Sequence, residues 1–477
     1  MNSGHDLAAR NAVAVLTAAP WLWGYTAGPT ANAIPLFFGW TCALLMVPLV
    51  LTQSRGNLER AAAAGWLWAA SLSAAGALVQ HVGWSADIPL LVTSANGEAF
   101  GNLRQRNQLG TLMAIGLAAL LLFPLRLATI VRYLLAVLLA VASVATLSRT
   151  GMLLWLLVCA FAALREPGSR RLAVWSLLAY ALGYFLLPQV VALAGREGLA
   201  MLDRLAAIPA CSSRRVLWFN IIHLILQRPL TGWGFGEIGY AHYAELFPSL
   251  RFCDILDNAH NLVLEAAVDF GVPAAITGLI LLALWLRRLK PWREMDAGRN
   301  LAWVVLGAIA LHSLLEYPLW YAPFQLAALM ALLILHRPAK LPLPAVGAAT
   351  CAAAALLVLL CYVAWDYDRV SDAYRPPQER RHGAEAAART VFFTRQAEFA
   401  ELVTTDVIPD NAPRVHALAL RSLHYSAEPR VITRLIESAI VLHDYEEARW
   451  HMVRFRAAFP DEYAVWLAAR HPSVAPP

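Results

Sequence analysis

A chain of 477 residues with 59% hydrophobic and only 15% charged residues, and a mean hydropathy of +0.54, carries too little charge to cover a soluble surface. Its apolar segments are continuous runs of roughly 18–20 residues, long enough to cross a hydrocarbon core. They do not alternate, which argues against a transmembrane β-barrel. The net charge of +6 does not signal nucleic acid, because the arginines gather beside apolar runs, where they report topology.

In chain order, apolar runs at about 11–27, 34–52, 61–82, 109–123, 128–147, 150–164, 172–194, 262–286, 300–317, 321–336 and 345–365 predict eleven transmembrane helices. Pro20 interrupts the first run and further spans follow it, so no cleaved signal peptide is expected. Arg55, Arg60, Arg126, Arg165, Arg170, Arg171, Arg287, Arg288, Lys290, Arg293, Arg299, Arg337 and Lys340 fall on one set of connections. Arg104, Arg106 and Arg149 fall on the other. The first set therefore faces the cytoplasm, as does the N-terminus. An odd number of spans places the C-terminal segment outside, on the same face as a large loop. The expected organisation is seven helices in 1–194, the loop in 195–261, spans eight to eleven in 262–365 and a soluble helical domain in 366–477.

Polar residues beyond the needs of a membrane bundle collect at its outer ends. The first outer loop, 83–108, closes on Asn102, Arg104, Gln105, Arg106, Asn107 and Gln108. Arginines alone would serve as interfacial anchors. The added amides suit hydroxyls or phosphate oxygens of a ligand, and both readings stand. Ser148-Arg149 sits at the tip of a tight hairpin, where a guanidinium must find water, a carboxylate or a phosphate. In the large loop, Leu217, Ile221, Leu224 and Ile225 form a helical stripe behind Arg214 and Arg215. Arg228-Pro229 ends that helix. Gly232-Trp233-Gly234-Phe235-Gly236 has no strand before it and no lysine after it, so it reads as a tight aromatic turn and not a nucleotide cradle. Cys211 and Cys253 either pair, given an oxidising compartment, or stay as two thiols, because sequence does not fix their Cα separation. No metal site is expected: the cysteines lack ligand spacing, and Asp254 and Asp257 lack a third ligand.

Asp257-Asn258-Ala259-His260-Asn261 closes the loop and opens the eighth span, so His260 stands at the interface. In the ninth, His312 and Glu316 are four apart and share a helix face. Ionisable groups at such depth mark function, or else a buried pair that locks two helices. Beyond 365, charge rises and apolar residues turn periodic. Val431 to Pro460 patterns as a tetratricopeptide-like hairpin, with Tyr445, Ala448 and Phe459-Pro460, for docking a protein or covering the outer face.

An outward membrane site with these residues has no ATP-binding loop, so its donor must arrive activated. A lipid-linked sugar pyrophosphate meets that need. Arginine forks match the leaving phosphate oxygens and stay charged. A histidine can take a proton from an acceptor hydroxyl near neutral pH, an effect worth roughly 10²–10⁴ in rate.

The residues resemble a family. Asn102-Leu103 through Asn107-Gln108-Leu109; Ser148-Arg149; Arg214 with Trp218, Pro229 and Gly232-Trp233-Gly234; His260-Asn261 with Glu265; and His312 through Glu316-Tyr317-Pro318-Leu319-Trp320-Tyr321 are together similar to the bacterial O-antigen ligase and polymerase superfamily, in particular its pilin-type protein O-oligosaccharyltransferases. The resemblance covers about residues 90–340. It implies a metal-independent, cofactor-free inner-membrane glycosyltransferase. Such an enzyme moves a glycan from undecaprenyl pyrophosphate to a serine or threonine of a pilin or other periplasmic protein. His260 matches the family's base, and Arg149 and Arg214 match the residues that hold the pyrophosphate, with Arg215 an adjacent alternative. Gln105 matches the amide of the first outer loop. Asn107, Asn261, Glu265, His312, Glu316 and Tyr317 are expected to contact glycan or acceptor. Arg104 and Arg106 depart from the small residues or proline that usually flank the amide. The rivals are an O-antigen ligase or polymerase with a sugar acceptor, and a lipid-linked glycan transporter.

Overall fold

The computed structural model describes residues 3–94, 97–193, 209–336, 342–380, 387 and 389–470. The loop stretch 195–208 and the basic residues Arg337 and Lys340 lie outside them. Among the described residues every regular element is helical: α1 (Ser3–Leu22), α2 (Ala33–Thr52), α3 (Arg55–His81), α4 (Arg106–Leu122), α5 (Thr129–Ala145), α6 (Arg149–Arg165), α7 (Arg170–Leu193), α8 (Arg214–Gln227), α9 (Ile238–Ala244) and α10 (Leu262–Phe270). Then follow α11 (Val272–Leu289), α12 (Ala297–Ser313), α13 (Ala322–His336), α14 (Leu343–Asp372), α15 (Thr394–Thr404), α16 (Ala412–Leu423), α17 (Pro429–Val441), α18 (Tyr445–Ala458) and α19 (Pro460–Arg470).

Among the described residues, five helical segments are long and apolar enough to cross a membrane: Ala33–Thr52, Arg55–His81, Pro167–Leu193, Val272–Arg293 and Leu343–Asp372. α4, α5 and α13 are shorter apolar helices. The eighth expected span, 262–286, is not one helix. The chain breaks at Gly271, whose φ is +87°, and the membrane-length segment starts at Val272. The cause is close approach. A Cβ on Gly271 would overlap the carbonyl of Leu230, so only glycine fits, and its positive φ turns the chain.

The chain divides into two compact units, 1–206 with 288–362, and 207–287 with 363–477. In the first, α4 is the central helix, buried from Gln108 to Leu122. It packs on α3, α5, α6 and α12. Without a hydrophobic drive between helices in lipid, small residues that let backbones approach decide such packing. α3 supplies Ala61, Ala62, Ala63, Ala69, Ala70, Ala74 and Ala77 to the interior, and a Cβ on Gly116 of α4 would overlap Ala70.

In the second unit, α8, α9 and α10 enclose Leu217, Ile221, Leu224, Ile238 and Val268. A disulfide between Cys211 and Cys253, with Cα atoms 5.5 Å apart, closes this region. α15 to α19 each pack on the next and share a core of Val415, Leu418, Val431, Leu435 and Phe455. Pro429 and Pro460 begin two of these helices, where a missing N–H leaves no bond unmade. The C-terminal helices bind the large loop directly. The Tyr243 hydroxyl pairs with His451 Nδ1 at 2.9 Å, Arg454 Nε donates to the Ala244 carbonyl at 2.7 Å, and His424 Nδ1 meets Glu237 at 2.6 Å.

Candidate active site

In the first unit, the outer loop is tied down by two amides, the buried Gln80 and the half-buried Asn102. Gln80 uses its whole side chain: Nε2 donates to the Val92 and Gly101 carbonyls at 2.7 and 2.8 Å, and Oε1 accepts from Phe100 and Gly101 N–H at 3.1 and 2.7 Å. Asn102 Nδ2 donates to the carbonyls of Leu22 and Leu90 at 2.6 and 2.9 Å. Asn102 is therefore a structural staple. Gln105, four residues before the Leu109 N–H that it accepts at 3.2 Å, stands at the N-cap of α4 with its amide half-buried.

From there α4 carries a polar face into the unit. Asn107 Nδ2 donates to Glu316 at 2.8 Å, and Asn107 Oδ1 accepts from the Ser148 hydroxyl at 2.7 Å. One turn on, the Thr111 hydroxyl donates to the Asn107 carbonyl at 2.9 Å and lies 3.0 Å from His312 Nδ1. With that hydroxyl hydrogen committed, Nδ1 is the donor to Thr111. The structure thus joins three expected residues, Asn107, His312 and Glu316, through Ser148 and Thr111. His312 is fully buried and Glu316 is 4% exposed. α12 ends at Ser313, so Glu316 is not on a helix face as expected. The Glu316 N–H still donates to the His312 carbonyl at 2.8 Å, which preserves their spacing past the helix end. Tyr317 stacks with Tyr321 and meets Trp320 edge-on, at 6.1 and 5.9 Å between centroids.

Arg149 is the first residue of α6 and is exposed. Ser148 caps that helix, its hydroxyl accepting from Gly151 N–H at 2.9 Å. α6 can approach α4 because Gly110 and Gly151 face each other: a Cβ on either would lie 2.9 Å from the other's Cα. In the sequence Thr111 falls inside an apolar span, and its i+4 spacing from Asn107 is the signal that picks it out.

In the second unit, His260 has φ +50°, in the left-handed region that costs a residue with a Cβ roughly 1–2 kcal/mol. The neighbours hold that turn. Asn258, 2% exposed, accepts from the His260 N–H at 2.7 Å. The fully buried Ala259 is fixed at both ends of its peptide, its N–H donating to Glu265 at 2.6 Å and its carbonyl accepting from Trp218 Nε1 at 3.2 Å. Asn261 caps α10, accepting from Val263 and Leu264 N–H at 3.0 and 3.1 Å. Asn261 and Glu265 therefore shape the turn that presents His260. Arg214 opens α8 one helical turn before Trp218, so it shares a face with the residue that grips Ala259. Arg214 is half-buried. Arg215 is exposed, with its guanidinium 5.7 Å from the Phe219 ring centroid.

Two backbone donors of the aromatic turn are spent within the protein. Trp233 and Gly234 N–H already donate to the carbonyls of Val268 and Asp269, at 2.7 and 3.0 Å, and cap the end of α10. Burial pushes the Glu265 carboxyl up to about 7 and Asp269 up to about 6. It also raises Asp257, against the opposing pull of His260. Among the described residues no three His, Cys, Asp or Glu side chains stand together as a metal would require.

Three family models match the chain: "O-Antigen ligase" over residues 134–279, "Virulence factor membrane-bound polymerase, C-terminal" over 300–472 and "Protein glycosylation ligase" over 99–122. Two proteins of Acinetobacter baylyi are similar. A general O-oligosaccharyltransferase is 24% identical over 267 residues, 52% of this chain and 46% of that protein. A ComP-specific O-oligosaccharyltransferase is 28% identical over 244 residues, 49% of this chain and 43% of that protein. The chain thus matches under half the length of either relative. Together with the motif residues, these matches support the O-antigen ligase superfamily for the chain, close to the protein O-oligosaccharyltransferases.

Proposed function

We propose that the chain is an inner-membrane glycosyltransferase that moves a preassembled glycan from undecaprenyl pyrophosphate to a serine or threonine of a periplasmic protein such as a pilin. The observation that carries this reading is the strained, buttressed turn at His260. A positive φ in a residue with a Cβ is costly and is held at functional sites by its surroundings. Of the six described non-glycine residues that have it, Arg104, Leu147 and His260, at φ +60°, +52° and +50°, lie within or beside the motifs, and Leu90, Lys290 and His443 do not. The relatives' names supply the reaction class.

His260 takes the proton of the acceptor hydroxyl as its oxygen bonds to the anomeric carbon. The bond from that carbon to the phosphate oxygen breaks, and the pyrophosphate departs as an anion. Arg149 and Arg214 hold it, with Arg214 preferred to Arg215 because it shares a face with Trp218. Asn261 and Glu265 position His260. Gln105, Asn107, His312, Glu316 and Tyr317 contact glycan or acceptor. No metal or cofactor enters this scheme. The N-terminus lies in the cytoplasm, and the large loop and the C-terminal helices lie in the periplasm.

The test is transfer of a lipid-linked oligosaccharide to a purified pilin in proteoliposomes, read as intact mass of the acceptor. His260→Ala should reduce transfer by roughly 10²–10⁴ while leaving the melting temperature in place. Full transfer by that variant would sink the base assignment. The O-antigen ligase match favours one alternative, a sugar acceptor, which would show the mass shift on lipopolysaccharide and none on protein.

A further inference from the structure

A second polar site lies in the first unit, about 24 Å along α4 from Asn107, at the rise of 1.5 Å per residue. A cavity of ≈ 440 Å³ opens there. Its walls include Arg10 of α1, Arg60 of α3 and Arg126 of the segment after α4, together with Asn11, Trp68 and Phe123. The volume is in the usual range for small-ligand sites, roughly 300–1,000 Å³. The three guanidinium groups come from three separate elements, and none has a hydrogen bond or ion pair with any described residue.

Two simpler roles fit poorly. Arg126 does not cap the C-terminus of α4, because Arg132 makes that contact, donating to the Leu120 carbonyl at 2.9 Å. Arginines that only mark topology reach outward to headgroups one at a time. Here Arg10, Arg60 and Arg126 line one concavity. The nearby Glu59 is not their partner, since it pairs with Arg55 at 2.8 Å.

Phosphate oxygens are the ligand chemistry that guanidinium forks match best. The rest of the wall points to where that phosphate comes from. Trp68 is 43% exposed on a helix of membrane length, and Phe123 is buried beside it in the same cavity. An aromatic belt residue next to a basic pocket between membrane helices is the setting in which acidic headgroups bind. We propose that this cavity binds a phosphate-bearing anion, supplied as the headgroup of an acidic phospholipid whose chains lie along Trp68. On the positive-inside reading it faces the cytoplasmic leaflet.

The experiment uses the full chain in detergent, stripped of lipid, with native mass spectrometry as the readout. The probes are palmitoyl-oleoyl phosphatidylglycerol, the matching phosphatidylcholine, glycerol 3-phosphate and inorganic phosphate. Wild type should retain one phosphatidylglycerol with at least tenfold preference over phosphatidylcholine. Arg10→Gln/Arg60→Gln/Arg126→Gln should lose that preference. Arg126→Gln alone, on a segment outside the helices, should weaken retention several-fold with an unchanged melting temperature, which keeps the test valid if the triple variant misfolds. Equal retention by wild type and variants overturns the site. Saturation by glycerol 3-phosphate or phosphate at the concentration that suffices for the lipid overturns the lipid as source, while leaving the anion chemistry.

Discussion

Gly110→Ala perturbs the contact that holds α6, and with it Arg149, against α4. The new Cβ would stand 2.9 Å from the Gly151 Cα and 3.3 Å from the Ser148 Cβ and Oγ. Carbon pairs settle at about 3.5–4.0 Å, so the helices must part by on the order of 0.6–1 Å. Overpacking of this kind costs about 1–3 kcal/mol, against about 1 kcal/mol gained in helix propensity. Gly307→Ala is the matched control, since its Cβ would meet nothing within 4 Å. It carries the propensity gain alone, so the difference between the two variants isolates the packing term, about 1–3 kcal/mol. The same displacement stretches the Asn107–Ser148 hydrogen bond, now 2.7 Å, to the edge of bonding distance. The assays are thermal unfolding in detergent and glycan transfer in proteoliposomes. Gly110→Ala should melt lower than Gly307→Ala and transfer about 10–100-fold more slowly, the penalty typical of a misplacement near 1 Å. If both variants melt and transfer alike, the close helix contact does not position this site.

Three further outcomes follow from other parts of the molecule. The Cys211–Cys253 bridge spans 42 residues, for which loop-closure entropy gives about 4 kcal/mol. Cys211→Ser/Cys253→Ser should lower the denaturation midpoint accordingly, and a loss below about 1 kcal/mol would count against the bridge as a stabilising element. Glu265 has its carboxyl raised from 4.5 to about 7 by burial, so the folded state favours the protonated form. Its contribution to stability is complete below pH 4.5 and is lost as pH rises through 7. Wild type should therefore lose melting temperature across that window relative to Glu265→Gln, and parallel curves would refute the assignment. The Gln108 amide is fully buried, with neither atom hydrogen-bonded to a described residue. Gln108→Leu removes a desolvation cost of about 1–3 kcal/mol, so differential scanning fluorimetry should show an equal or higher melting temperature, and a marked drop would reveal a partner for the amide.

What could be read from the sequence was local. Asn261 before an apolar run announced a helix start, and the structure uses it as the N-cap of α10. The aromatic glycine turn was legible as a turn because no lysine or strand accompanied it. Hydropathy failed where a single backbone angle decided the outcome: the run from Leu262 to Leu286 is apolar apart from Glu265, Asp269 and Thr277, and it is the Leu230 carbonyl against Gly271 that breaks it. Glu316 looked helical from its spacing, which a capping turn preserves as well as a helix does. Contacts between distant segments left no local trace. Tyr243 with His451, 208 residues apart, and Cys211 with Cys253 depend on tertiary approach that residue patterns do not encode. The candidate site shows the same division. His260 stood out by its chemistry, whereas the Thr111 and Ser148 links needed coordinates.

The break at Gly271 has a splint. Trp233 and Gly234 bond the carbonyls of Val268 and Asp269 on one side of it, and the Val272 N–H bonds the Pro229 carbonyl on the other. A joint bridged on both sides transmits movement instead of absorbing it. When bilayer thickness changes, a membrane helix answers by tilting, and a tilt of Val272–Leu289 then carries the turn that bears His260. Acyl-chain length in the surrounding bilayer would thereby set the depth at which the imidazole stands.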